Sequence, residues 1–105
     1  MTFAEFFEKN GEVVGCKIKG HSGYGDAGSD IVCAGVTSAV SMAANMITDV
    51  FGYPADVSAV DDTVCLKTDI TGDETLQKLY RGLILQLREI AKDYGKNIKL
   101  KFTEV

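Results

Sequence analysis

The stretch Asp30-Ile31-Val32-Cys33-Ala34-Gly35-Val36-Thr37-Ser38-Ala39-Val40-Ser41-Met42-Ala43-Ala44-Asn45-Met46-Ile47 decides the fold. It is almost uncharged and built largely of small residues. At about 18 residues it is too long for a buried parallel strand, which runs to about 4–8. We read it as a buried helix packed closely against its neighbours, with Ser29 or Asp30 as the N-cap.

Working outward, the C-terminal side begins with a connector over 50–62 that holds Gly52, Pro54 and the Asp61-Asp62 pair. Residues 63–70 alternate Val64, Leu66 and Ile70 against Cys65, Lys67 and Asp69, which predicts a strand. Thr71-Gly72-Asp73-Glu74 has capping-box spacing, and Leu76, Leu79, Tyr80, Leu83, Ile84, Leu87, Ile90, Ala91 and Tyr94 follow at helical intervals up to Gly95. Asn97 to Thr103 reads as a last strand, with Ile98, Leu100 and Phe102 on one face and Lys99 and Lys101 on the other.

On the N-terminal side, residues 2–8 and 12–19 predict two strands joined at Asn10-Gly11, a pair suited to a tight hairpin turn. Val14, Cys16 and Ile18 are expected on the inner face, opposite Lys17 and Lys19. Between hairpin and helix lies Gly20-His21-Ser22-Gly23-Tyr24-Gly25-Asp26-Ala27-Gly28, with four glycines among nine residues, Gly20, Gly23, Gly25 and Gly28, and this is read as a loop. The expected fold is α/β (α+β): one domain over 1–105, ordered β-β-α-β-α-β, with two helices on one face of a mostly antiparallel, mixed sheet.

Length and composition narrow the function. A chain of 105 residues carries one core, and 46% hydrophobic with 25% charged residues is globular rather than disordered. The net charge of −4 argues against wholesale phosphate neutralisation and no direct nucleic-acid contact is expected, although a local basic patch remains compatible with it. No apolar run of about 20 residues and no export signal are recognised, so no membrane contact and a cytoplasmic location are expected. Three cysteines, Cys16, Cys33 and Cys65, cannot all pair within the chain, and reduced thiols are expected.

The chemistry centres on His21, the only histidine, and Cys33, twelve residues later. A thiol in the first turn of a helix feels the positive end of its dipole and its free N–H groups, which favour thiolate and could hold an oxyanion. A neighbouring imidazole could take the thiol proton and return it to a leaving group. Against this stands a small buried cysteine and an unpartnered loop histidine. Cys16 is expected in the core and Cys65 on the polar side. A Cys₃His zinc set could be assembled from the three cysteines and His21, but it lacks the close ligand pairs of such sites, and no metal or cofactor is expected. Asp30 either orients His21 or caps the helix, and Thr37 either faces the site or bonds its own preceding carbonyl. Asn45 lies three turns down the helix, too far to donate to an oxyanion.

Gly20-His21-Ser22-Gly23, then six residues, then Asp30-Ile31-Val32-Cys33-Ala34-Gly35, resembles the ribosomal-processing cysteine proteases. The small-residue helix, amphipathic helix and final strand extend the resemblance over nearly the whole chain. It implies a cytosolic endopeptidase that removes an N-terminal extension from large-subunit ribosomal protein twenty-seven, cutting after a Phe-Phe pair, during ribosome assembly. It further implies a homodimer, with Cys33 as nucleophile, His21 as base, Asp30 at the family's acidic position and a mobile loop over the site, here Gly20 to Gly28. Thr37 stands where relatives usually carry serine. Such a loop would keep His21 and Cys33 apart until substrate binds. Tyr24, Val36 and Met42 are expected to line an apolar groove for the Phe-Phe pair. The alternative is a non-catalytic assembly or dimerisation module of the same fold.

Overall fold

The computed structural model describes residues 1–20 and 27–105, the side chains of 27–30 excepted. Its elements are β1 (Thr2–Lys9), β2 (Glu12–Lys19), α1 (Ala27–Asn45), a π-helical turn (Met46–Val50), β3 (Asp56–Val60), β4 (Thr63–Lys67), α2 (Glu74–Asp93) and β5 (Ile98–Glu104). The five strands form one mixed sheet in the order β3-β4-β2-β1-β5, with β1 and β5 parallel and the other neighbours antiparallel. Both helices cover the same face. The core joins Ala4, Phe6, Cys16, Ile18, Leu66 and Ile98 from the sheet to Val32, Val36, Val40 and Ile47 after β2 and to Leu76, Tyr80 and Leu87 of α2.

The hairpin contains an irregularity that alternation did not foretell. Its register shifts after Phe7, so that Phe7 pairs with Gly15 and Glu8 with Val13, leaving Val14 as the bulged residue. Val13 therefore joins Cys16 and Ile18 in the main core cluster, whereas Val14, also buried, lies outside that cluster. The bulge is held from both sides. Gln77 of α2 accepts from the Val13 N–H and donates to its carbonyl, both at 2.8 Å. The Val14 carbonyl accepts from the N–H groups of Thr68 and Asp69 and from the Thr68 hydroxyl, at 3.0–3.1 Å. That hydroxyl proton being spent, the buried Tyr80 phenol donates to Thr68 Oγ1 at 2.8 Å. Gly15 is required beside the bulge, because a Cβ there would stand 2.7 Å from the Leu66 carbonyl oxygen.

Three further expectations are corrected. The connector over 50–62 contains β3, whose five residues are all exposed, so no buried face marked it in the sequence. The strand expected over 63–70 ends at Lys67, because Thr68 and Asp69 turn to bond Val14. The capping box is not formed either. Gly72, at φ +79, turns the chain so that Asp73 is the N-cap, accepting from the Leu76 N–H at 3.0 Å and from the Tyr53 phenol at 2.7 Å.

Helix α1 begins at Ala27, so Gly28 is helical rather than part of the loop, and Ser29 and Asp30 lie inside the helix rather than at its cap. The stretch Ile31–Val50 is 20 residues long with mean hydropathy 1.6, apolar enough by length and composition to cross a membrane, which corrects the expectation that no such run exists. Val32, Val36, Val40 and Ile47 of that stretch are spent on the protein's own core.

Candidate active site

The strand β2 ends at Lys19, and the next residue, Gly20, is buried and donates its N–H to the Asp62 carbonyl in the β3–β4 turn at 3.1 Å. This bond carries the β2–β4 pairing one residue further, to where Gly20 lies against Cys33 of α1. A Cβ placed on Gly20 would lie 3.3 Å from Cys33 Sγ and 3.4 Å from Thr2 Oγ1, so only a bare backbone sits comfortably there. The Cys33 thiol is half-buried and borders a cleft of about 830 Å³ between α1 and the sheet. Ile18, Val36, Val40 and Val64 supply apolar wall, Thr37, Ser38 and Ser41 supply hydroxyls, and Asp61 and Asp62 put acid on the rim.

Cys33 is the seventh residue of α1, about 9 Å along the axis from its start. Its own N–H thus falls within the helical ladder, and the helix's free N–H groups belong to its first four residues. The expectation of a first-turn thiol is corrected by this longer helix. The dipole effect, confined to the terminal turn, is correspondingly weak at Cys33. An oxyanion at this thiol would need donors other than the first-turn N–H groups of α1.

Thr37 spends its hydroxyl proton on the Cys33 carbonyl at 2.7 Å, the helix-internal bond that its position one turn later permits. Val36 lines the cleft, although it is 1% exposed and contributes wall rather than reach. Met42 does not line it: it is 69% exposed and borders a separate groove between α1 and α2, because its position on α1 turns it toward α2. Asn45 ends α1, about 18 Å along the axis from Cys33. His21, Gly23, Tyr24 and Gly25 lie outside the described residues, as does any His21–Cys33 distance.

The other cysteines separate by face. Cys16, opposite Leu66, is 2% exposed, and burial pushes its thiol up to about 12. Cys65 pairs with Lys17 on the outer face of the sheet. The three thiols thus occupy core, outer face and cleft, and no cluster of His, Cys, Asp or Glu able to hold a metal forms among the described residues. Sequence reasoning missed Thr2, Asp61 and Asp62 at the cleft. The signal for the acids was a two-residue turn between pairing strands, hidden while β3 read as connector.

The cysteine protease Prp family model matches residues 1–99, a span that includes the cleft and its thiol. The chain belongs to that family. It is a cysteine protease, a hydrolase of the ribosomal-processing kind. It is 26% identical over 94 residues to the ribosomal processing cysteine protease Prp of Staphylococcus aureus, covering 88% of this chain and 89% of that one. It is 27% identical to the Bacillus subtilis protein of the same name, with 84% of each covered. Two crystal structures of the essential S. aureus ribosomal processing protease share the fold. One holds a substrate peptide, with TM-score 0.90 and 23% identity over 98% of this chain and 100% of that one. The other holds a covalently linked product peptide, with TM-score 0.86 and 24% identity at the same coverage.

Proposed function

We propose that this protease cuts an N-terminal extension from a ribosomal protein, large-subunit protein twenty-seven, after a Phe-Phe pair, with Cys33 as nucleophile and His21 as base. The observation that carries this reading is the Cys33 thiol, half-buried at the wall of an 830 Å³ cleft with Gly20 against it. His21 is one peptide bond beyond Gly20 in the chain, which supports its pairing with the thiol.

The thiol proton passes to the imidazole, and the sulfur attacks the carbonyl carbon of the second Phe. The tetrahedral intermediate collapses, the C–N bond breaks, and the imidazolium returns its proton to the departing amine. Water, deprotonated by the same imidazole, then hydrolyses the thioester and frees the thiol. The bond from Thr37 to the Cys33 carbonyl supports a positioning role, steadying the turn that carries the sulfur. Asp30 is assigned the task of orienting His21. The apolar wall of Ile18, Val36 and Val64 suits an aromatic side chain, and the acids at the rim suit a cationic segment beside it.

The same reading places the enzyme in the cytoplasm as a homodimer. Ile31, Met42 and Leu85, exposed apolar side chains on the two helices, support self-association. The test is mass spectrometry of a peptide copying a Phe-Phe-containing ribosomal-protein extension, incubated with the parent, His21→Ala and Cys33→Ser. Cleavage after the second Phe by the parent alone is expected. Cleavage by Cys33→Ser at the parental rate, or at another bond, would refute the assignment.

A further inference from the structure

The face of the sheet that carries no helix has a charge unlike the rest of the chain. Cross-strand pairing sets Cys65, Lys17, Glu5 and Lys101 in one row, and Thr63, Lys19, Phe3 and Lys99 in the next. Lys67 stands opposite Gly15, which is opposite Phe7. Lys17, Lys19, Lys67, Lys99 and Lys101 are all exposed, and none forms an ion pair among the described residues. Against them in these rows stand Glu5, whose carboxylate accepts from the Thr103 hydroxyl at 2.6 Å, and Asp56 at the sheet edge. A chain of net charge −4 has thus gathered much of its positive charge on one flat surface.

Two features of this face exceed simple solubility. Phe3 is 49% exposed among the lysines, beside Lys19 and Lys99 in its row. A depression of about 430 Å³ also opens here, with Phe7, Val14 and Cys65 in its lining and three lysines, Lys9, Lys17 and Lys67, against one acid, Asp69, around them. Apolar rings set within a cationic field match a ligand with flat, unstacked bases on an anionic backbone. An acidic peptide would use the charge but would leave Phe3 and the apolar lining without a partner. Duplex RNA would keep its bases stacked, away from the rings.

We propose that this outer sheet face binds single-stranded RNA, with phosphates at Lys17, Lys19, Lys67, Lys99 and Lys101 and bases against Phe3 and Phe7. The proposal is independent of the peptidase reading. The cleft opens between α1 and the sheet, toward the face that carries the helices, so an RNA strand on the outer face leaves the Cys33 side accessible. The net charge does not oppose such binding, because the contact is local.

The experiment is fluorescence anisotropy of end-labelled single-stranded RNAs of about 12 nucleotides with the full chain, at several salt concentrations between about 50 and 200 mM. Affinity should fall with salt. The triple variant Lys17→Gln, Lys67→Gln, Lys101→Gln should bind at least about tenfold more weakly at low salt and lower the log–log salt slope by about 2, near 0.7 for each lost phosphate contact. Phe3→Ala should weaken binding at least about fivefold and leave the slope unchanged. Circular dichroism and thermal melting verify that each variant is folded, and the exposed Lys→Gln changes remain decisive if Phe3→Ala is not. Absence of binding up to about 100 µM overturns the proposal. So does binding indifferent to the lysine substitutions, or equal affinity for duplex RNA, polyglutamate or anionic vesicles.

Discussion

Gly20 lies against the thiol of Cys33, so close that a Cβ on Gly20 would stand 3.3 Å from the sulfur. The same Cβ would meet Thr2 Oγ1 at 3.4 Å, so the new methyl is pressed from two sides. Gly20→Ala should therefore displace the sulfur by a few tenths of an ångström and lower kcat by about tenfold, given that about 1 Å of misplacement costs about a hundredfold. Steady-state kinetics with unchanged melting temperature would bear this out. Full activity would show that the sulfur tolerates the shift.

Gln77 takes the place of a missing strand at the bulge, bonding both polar groups of the Val13 backbone. Gln77→Ala leaves them unpartnered beneath α2, at a cost of about 1–3 kcal/mol. The melting temperature should fall by about 4–8 °C for each kcal/mol. A loss below about 0.5 kcal/mol would mean that water replaces the amide.

Burial raises both the Tyr80 phenol and the Cys16 thiol to about 12. In the unfolded chain these groups lose their protons near pH 10 and 8.5. The folded state holds the protons longer, so its stability is fully present below pH 8.5 and declines as pH rises toward 12. Denaturant midpoints measured across this range should fall progressively. Cys16→Ala should flatten the lower part of that decline, and iodoacetamide should leave Cys16 unmodified in native protein.

At the acid end, the Leu76 N–H and then the Tyr53 phenol hold the Asp73 carboxyl below its ordinary value. A lowered folded value contributes stability above the usual carboxylate range that is lost as pH falls through it. Acid titration of helicity should show this loss below about pH 4. In Asp73→Asn, which can still cap but cannot titrate, that portion should disappear.

Much of the fold was legible because its helices and inner strands each bury one face at a regular period: α2 at Leu76, Tyr80, Leu83 and Leu87, β1 at Ala4 and Phe6. Strand β3 was not, since its brief alternation of Asp56 and Ser58 with Val57 and Ala59 buries neither face, and its ladder to β4 defines it. The bulge escaped notice because Val13 and Val14 are chemically alike, and only the pairing register decides which one joins the main core cluster. At the site, Cys33 stood out through its motif, whereas Asp61 and Asp62 reach the cleft through a turn that only the fold brings there.

The most direct test of Cys33 as the nucleophile is covalent capture. A peptidyl chloromethyl ketone ending in Phe-Phe should lose chloride to the thiolate and leave one adduct per chain, mapped by tandem mass spectrometry to Cys33, with no adduct on Cys33→Ser and loss of proteolysis in step with labelling. Labelling confined to Cys65, or full proteolysis after Cys33 is completely modified, would contradict the account.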